Sequence, residues 1–89
     1  ENCPIQIREW PSFPHRGILL DPARTFIPVD VIKQTIDGLL YSKMNVLHLH
    51  LSDSQSIPFT FPSLPELSEA AAYSSAETYS SADVKEIVE

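Results

Sequence analysis

Two apolar runs, Gly17-Ile-Leu-Leu20 and Val46-Leu-His-Leu-His-Leu51, each end on a polar cluster, and one amphipathic stretch separates them. A strand covered on both faces reads as a short continuous apolar run rather than as an alternation. Between the runs, Val29, Ile32, Ile36, Leu39 and Leu40 recur at steps of three and four, with Lys33, Gln34 and Asp37 on the opposite face, which is the stripe of a helix. Strand, helix, strand in this order is a βαβ unit, and parallel barrels built from such units gather their chemistry at the C-terminal ends of the strands. The pattern predicts an α/β fold with parallel strands over 16–21 and 46–51. We read it as a partial (β/α)8 TIM barrel, running from the first strand to the start of the second helix.

Size bounds this reading. A closed barrel of this kind takes roughly 250 residues, and the chain has 89. It begins at Glu1 without a methionine and stops inside a helical pattern at Lys85-Glu-Ile-Val-Glu89, so both ends read as interior to a longer protein. Residues 1–13 are expected to form a leading strand and linker, and residues 14–89 the N-terminal part of a truncated TIM barrel. The formal net charge is −6, with Lys and Arg scattered, which argues against nucleic acid as a partner. No stretch is apolar enough for a membrane span, and no secretory h-region is present. With one cysteine, Cys3, no internal disulfide is available; the thiol either pairs elsewhere in a longer chain or stays free.

The remaining segments read as connections. Pro4 to Trp10 alternates apolar and polar residues like a half-exposed strand, and Pro11 and Pro14 break it. Gly38 inside the helix suggests close packing against a strand, Lys43 a cation in the last turn, and Asn45 a left-handed terminal residue. Phe59, Phe61 and Leu64 suit loop packing, and 64–72 a short helix. Ser80-Ser-Ala-Asp83 resembles a capping box for the helix that Val84, Ile87 and Val88 begin.

Few side chains are placed to carry chemistry. Arg24 lies just past the first strand, where its forked donors suit vicinal hydroxyls; a solvated loop arginine is the other reading. Arg16, before that strand, suits a buried structural ion pair. Asp53, past the second strand, is the best-placed carboxylate, able to orient an imidazole. Asp21 occupies the matching place after the first strand, but an aspartate before proline commonly opens a turn. His48 and His50 alternate and so face one way. They lack a third metal ligand, which favours a hydrogen-bonded core histidine over a metal site. No pair of carboxylates spaced for acid–base catalysis on a third or later strand is present, so this chain alone is not expected to turn over substrate.

Phe13-Pro-His-Arg-Gly-Ile-Leu-Leu-Asp21 with Arg24, and Tyr41-Ser-Lys-Met-Asn-Val-Leu-His-Leu-His-Leu-Ser-Asp53 at matching separation, resemble the first two strand signatures of family-20 glycoside hydrolases, the β-N-acetylhexosaminidases. Ser81-Ala-Asp-Val-Lys-Glu86 resembles the family's second barrel helix. The resemblance runs from about Trp10 to the C-terminus. It implies an exo-glycosidase that removes terminal non-reducing N-acetylglucosamine or N-acetylgalactosamine from glycoconjugates or chito-oligosaccharides. It further implies retention with substrate assistance, no metal and no cofactor, a lysosomal or secreted location and a possible dimer. Residue by residue, Arg24 matches the arginine that binds the terminal sugar's hydroxyls. Asp53 matches the aspartate that pairs with a histidine from a later strand, and His50 a histidine at the pocket's edge. The family often has a second aspartate where this chain has Ser54. The competing expectation is a carbohydrate-binding or interaction module that kept the barrel's opening and lost the chemistry.

Overall fold

The computed structural model describes residues 3–89. Gly17–Leu20 forms β1, Val29–Tyr41 forms α1, and Val46–Leu49 forms β2. Two further helices follow, α2 (Pro65–Ala71) and α3 (Ser81–Val88). β1 and β2 pair in parallel, Gly17 opposite Val46 and Leu20 opposite Leu49. Their connection is the predicted helix, so the expected βαβ unit is present. The His50 amide donates to the Leu20 carbonyl at 2.9 Å, carrying the pairing one residue beyond the ladder, to the level where the polar clusters begin.

Burial follows the α1 stripe in part. Ile32 is sealed and Leu39 nearly so, while Leu40 is 73 % exposed and Leu19, in β1, 54 % exposed. The expectation of strands covered on both faces therefore fails here, because a two-stranded sheet with α1 on it leaves its remaining apolar side chains uncovered. The tightest packing sits past the strand ends, where Pro22, Ala23, Pro58 and Tyr79 join Ile32 among the most buried residues. The Tyr79 ring stacks on Phe26 at 4.8 Å, and Tyr79 also makes a parallel bridge to Phe59. The stretch after β2 thus folds back over the β1–α1 connection. Phe59 and Phe61 meet edge to face at 4.8 Å, as the loop-packing reading expects.

Several local expectations change. Residues 4–10 form no strand and are exposed, so the strand expected there is absent. The C-terminus of α1 is closed by Lys43 at φ 55°, not by Asn45. The Met44 amide reaches the Leu39 carbonyl at 2.9 Å and the Lys43 amide reaches Leu40 at 3.1 Å, the paired bonds of a Schellman motif. Lys43 therefore lies beyond the last turn, in the left-handed position. Asn45 instead accepts the Arg16 amide at 3.0 Å and donates to the Pro14 carbonyl at 2.8 Å. A Cβ added at Gly38 would meet nothing within 4 Å, so among the described residues no strand packs closely there. The capping box of α3 forms as read: the Ser80 hydroxyl accepts the Asp83 amide at 3.2 Å, and the Asp83 carboxylate accepts the Ser80 amide at 2.7 Å.

Candidate functional site

Because β1 and β2 run parallel and in register, the residues that follow them emerge side by side at one end of the sheet. Asp21 follows Leu20, and His50 follows Leu49. Asp21 opens a turn in which its carboxylate accepts the Arg24 amide at 3.2 Å, and the turn carries Arg24 back over the strand ends. Asp53 closes the other connection, its amide bonded to the Ser56 carbonyl at 3.0 Å. Ser56 and Ala23 are buried beneath this layer.

The three site residues singled out from sequence meet at one atom. Asp53 Oδ2 accepts Arg24 Nη2 at 2.7 Å and lies 2.8 Å from His50 Nε2. Its other oxygen, Oδ1, accepts the Ser54 amide at 2.6 Å and the Ser54 hydroxyl at 3.1 Å. The hydrogen bond from His50 and those from Ser54, with Arg24 nearby, hold the Asp53 carboxyl down at about 2. Arg24 Nη1 also pairs with Asp21. Partial burial works against ionisation of Asp21, but the bonds and charge of Arg24 outweigh it, and its pKa is lowered. The same partner, Asp21, first and Asp53 second hold the Arg24 proton more tightly than usual. Arg24 uses two of its five side-chain donors in these bonds. Its side chain is half-exposed, so the remaining fork is open to a ligand while the carboxylates fix its plane.

Three expectations need revision. Arg16 makes no ion pair among the described residues; its guanidinium donates to the carbonyls of Lys43 at 2.7 Å and Phe13. It ties the linker to the end of α1, a structural role filled by carbonyls in place of a carboxylate. Asp21 is the turn opener its Asp-Pro context suggested, and it is also Arg24's ion-pair partner, a role the sequence reading did not assign it. His48 is exposed and so is not the core histidine its position suggested, whereas His50 is half-buried and bonded to Asp53; no group of three metal-ligating side chains gathers among the described residues. The contribution of Ser56 had no signal in the sequence, since a serine in a polar loop is ordinary, whereas Ser54 stands where the resemblance implies an aspartate.

A parallel βαβ unit with a guanidinium, carboxylates and an imidazole gathered at its strand ends is the layout on which α/β enzymes build active sites. Residues 13–89 match the family Glycosyl hydrolase family 20, catalytic domain, and the chain belongs to that family. It is 45 % identical to the beta-hexosaminidase subunit B2 of Dictyostelium discoideum over 100 % of its own length and 16 % of that protein's. Identity is also 45 % to the beta-hexosaminidase subunit beta of Mus musculus, over 93 % of this chain and 16 % of the relative. Against the chitobiase of Flavobacterium johnsoniae the TM-score is 0.81 at 41 % identity, covering 88 % of this chain and 12 % of the other. The chain thus spans about a sixth of the length of the curated relatives it matches.

Proposed function

We propose that the chain is the opening of a (β/α)8 catalytic barrel whose full-length protein is an exo-β-N-acetylhexosaminidase. The single observation that carries this reading is the convergence of Arg24 and His50 on Asp53 at the C-terminal ends of β1 and β2. Relatives named beta-hexosaminidase and a chitooligosaccharidolytic beta-N-acetylglucosaminidase of Bombyx mori support the substrate class, terminal N-acetylhexosamine.

In this reading Arg24 donates its free N–H groups to hydroxyls of the terminal sugar. Asp53 keeps Arg24 in plane, and its charge acts on the imidazole side of the pocket, which His50 borders. The reaction proceeds with retention: the substrate's acetamido oxygen attacks the anomeric carbon as the glycosidic bond breaks. A carboxylate outside residues 1–89 orients the acetamide, and a neighbouring glutamic acid protonates the leaving oxygen, the substrate-assisted exception to the two-carboxylate scheme. The chemistry calls for no metal or organic cofactor. A lysosomal or secreted location and a dimeric assembly belong to the same proposal.

The test is the full-length protein with a chromogenic N-acetyl-β-D-glucosaminide. Turnover that drops about ten- to a hundred-fold in kcat/KM on Arg24→Ala supports the assignment. Binding of N-acetylglucosamine without turnover would move the protein to the class of carbohydrate-binding modules.

A further inference from the structure

The backbone on either side of Arg24 is held by residues outside the charged cluster. Ala23, the residue before Arg24, is 0 % exposed, and its carbonyl accepts the hydroxyl of Ser56, itself 2 % exposed, at 2.6 Å. The Ser56 carbonyl in turn accepts the Asp53 amide at 3.0 Å. One buried serine therefore bonds to the backbone beside Arg24 and to the backbone of Asp53. Three residues beyond Arg24, the Tyr79 hydroxyl accepts the Ile27 amide at 3.3 Å and donates to the Ile27 carbonyl. Tyr79 is 1 % exposed and its ring lies on Phe26. The turn that carries Arg24 is pinned on both sides by buried hydroxyls, and neither hydroxyl bonds to the charged cluster.

We infer that Ser56 and Tyr79 are positioning residues for Arg24, locking the β1–α1 turn so that the guanidinium meets the sugar in one orientation. The inference rests on Arg24 being the sugar contact proposed above. A half-exposed arginine on a mobile turn must be ordered by its ligand, and that ordering weakens binding; a turn ordered in advance removes the cost. Hydroxyls distant from the anomeric carbon are bound alike in ground and transition states, so the loss falls on KM rather than on kcat.

The experiment is a double-mutant cycle in the full-length enzyme, with Ser56→Ala and Tyr79→Phe each made in the wild-type and Arg24→Ala backgrounds, reading KM and kcat on the chromogenic glucosaminide together with Tm. Each substitution deletes one oxygen. In the wild-type background each is expected to raise KM about ten-fold, the equivalent of one ordinary hydrogen bond, with kcat little changed. In the Arg24→Ala background neither should raise it further, the non-additivity of residues acting through one another. An equal KM increase in both backgrounds, or a lowered Tm with KM unchanged, overturns the inference and leaves the role of Arg24 standing. Wild-type KM for Arg24→Ala itself overturns the sugar-binding reading instead. Should Ser56→Ala fail to fold, the Tyr79→Phe arm decides the same cycle.

Discussion

Asp53 has both carboxylate oxygens engaged, one by Arg24 and His50 and the other by Ser54. An amide in its place has only one oxygen to offer and turns an N–H2 group toward donors. On the proposed function, Asp53→Asn is therefore expected to lower turnover more than substrate affinity in the full-length protein. Removing a negative charge also lowers the pKa of a nearby acid, so the limb of the pH–rate profile that requires the protonated acid should move to lower pH. The stability side has its own sign. The Asp53 pKa is depressed, so its contribution is complete above the ordinary 3.8 and disappears as pH falls through about 2. The Tm difference between wild type and Asp53→Asn should hold steady above that window and close within it. If Arg24 is the proposed sugar contact, Arg24→Lys is expected to behave like Arg24→Ala in kcat/KM, since an ammonium cannot hold two carboxylates and a diol in one plane.

At the scale of elements, the α3 capping box gives a direct check on how local sequence sets structure. Ser80→Ala leaves the Asp83 amide without its side-chain acceptor and should cost about 1 kcal/mol, read as a lower denaturation midpoint of the full-length protein. That box was legible because the whole motif lies within four residues. The α1 stripe and the two strands were legible for a related reason: their periods are properties of the backbone. Where a feature depended on what covers an element, the sequence misled. Leu19 and Leu40 carry the apolar signal of covered positions, and Gly38 the signal of close packing, yet the described chain leaves both leucines more than half exposed and puts nothing within 4 Å of a Cβ at Gly38. Lys43 in the left-handed position runs against propensity; the connection into β2 demands that conformation at that residue, whichever side chain stands there. The site was legible as positions, since polar residues after strands stand at one end of a parallel pair. Its wiring was not, because which carboxylate oxygen meets which donor is fixed by turns such as Asp21–Arg24.

Taken as a whole molecule, the chain is long and thinly packed. Its radius of gyration is 17.9 Å, against about 12 Å for a compact chain of this size. Trp10, Phe13, Leu40 and Tyr41 are each more than two-thirds exposed. Two strands do not make an independently stable sheet, and bare edges invite pairing with other chains. The isolated 89-residue polypeptide is therefore expected to associate, or to melt without a cooperative transition; calorimetry with size-exclusion chromatography checks this, and a sharp monomeric transition would refute it. One small contact governs which way the chemistry points. A Cβ on Gly17 would stand 2.8 Å from both the Cβ and the carbonyl oxygen of Val46, so the strands nest there as only glycine permits. Side chains in a strand alternate, and a slip of one residue inverts every one of them. Gly17 is thus a notch that sets parity: from the opposite end of the strand, a missing methyl group helps decide that Arg24 and His50 arrive on the same side as Asp53.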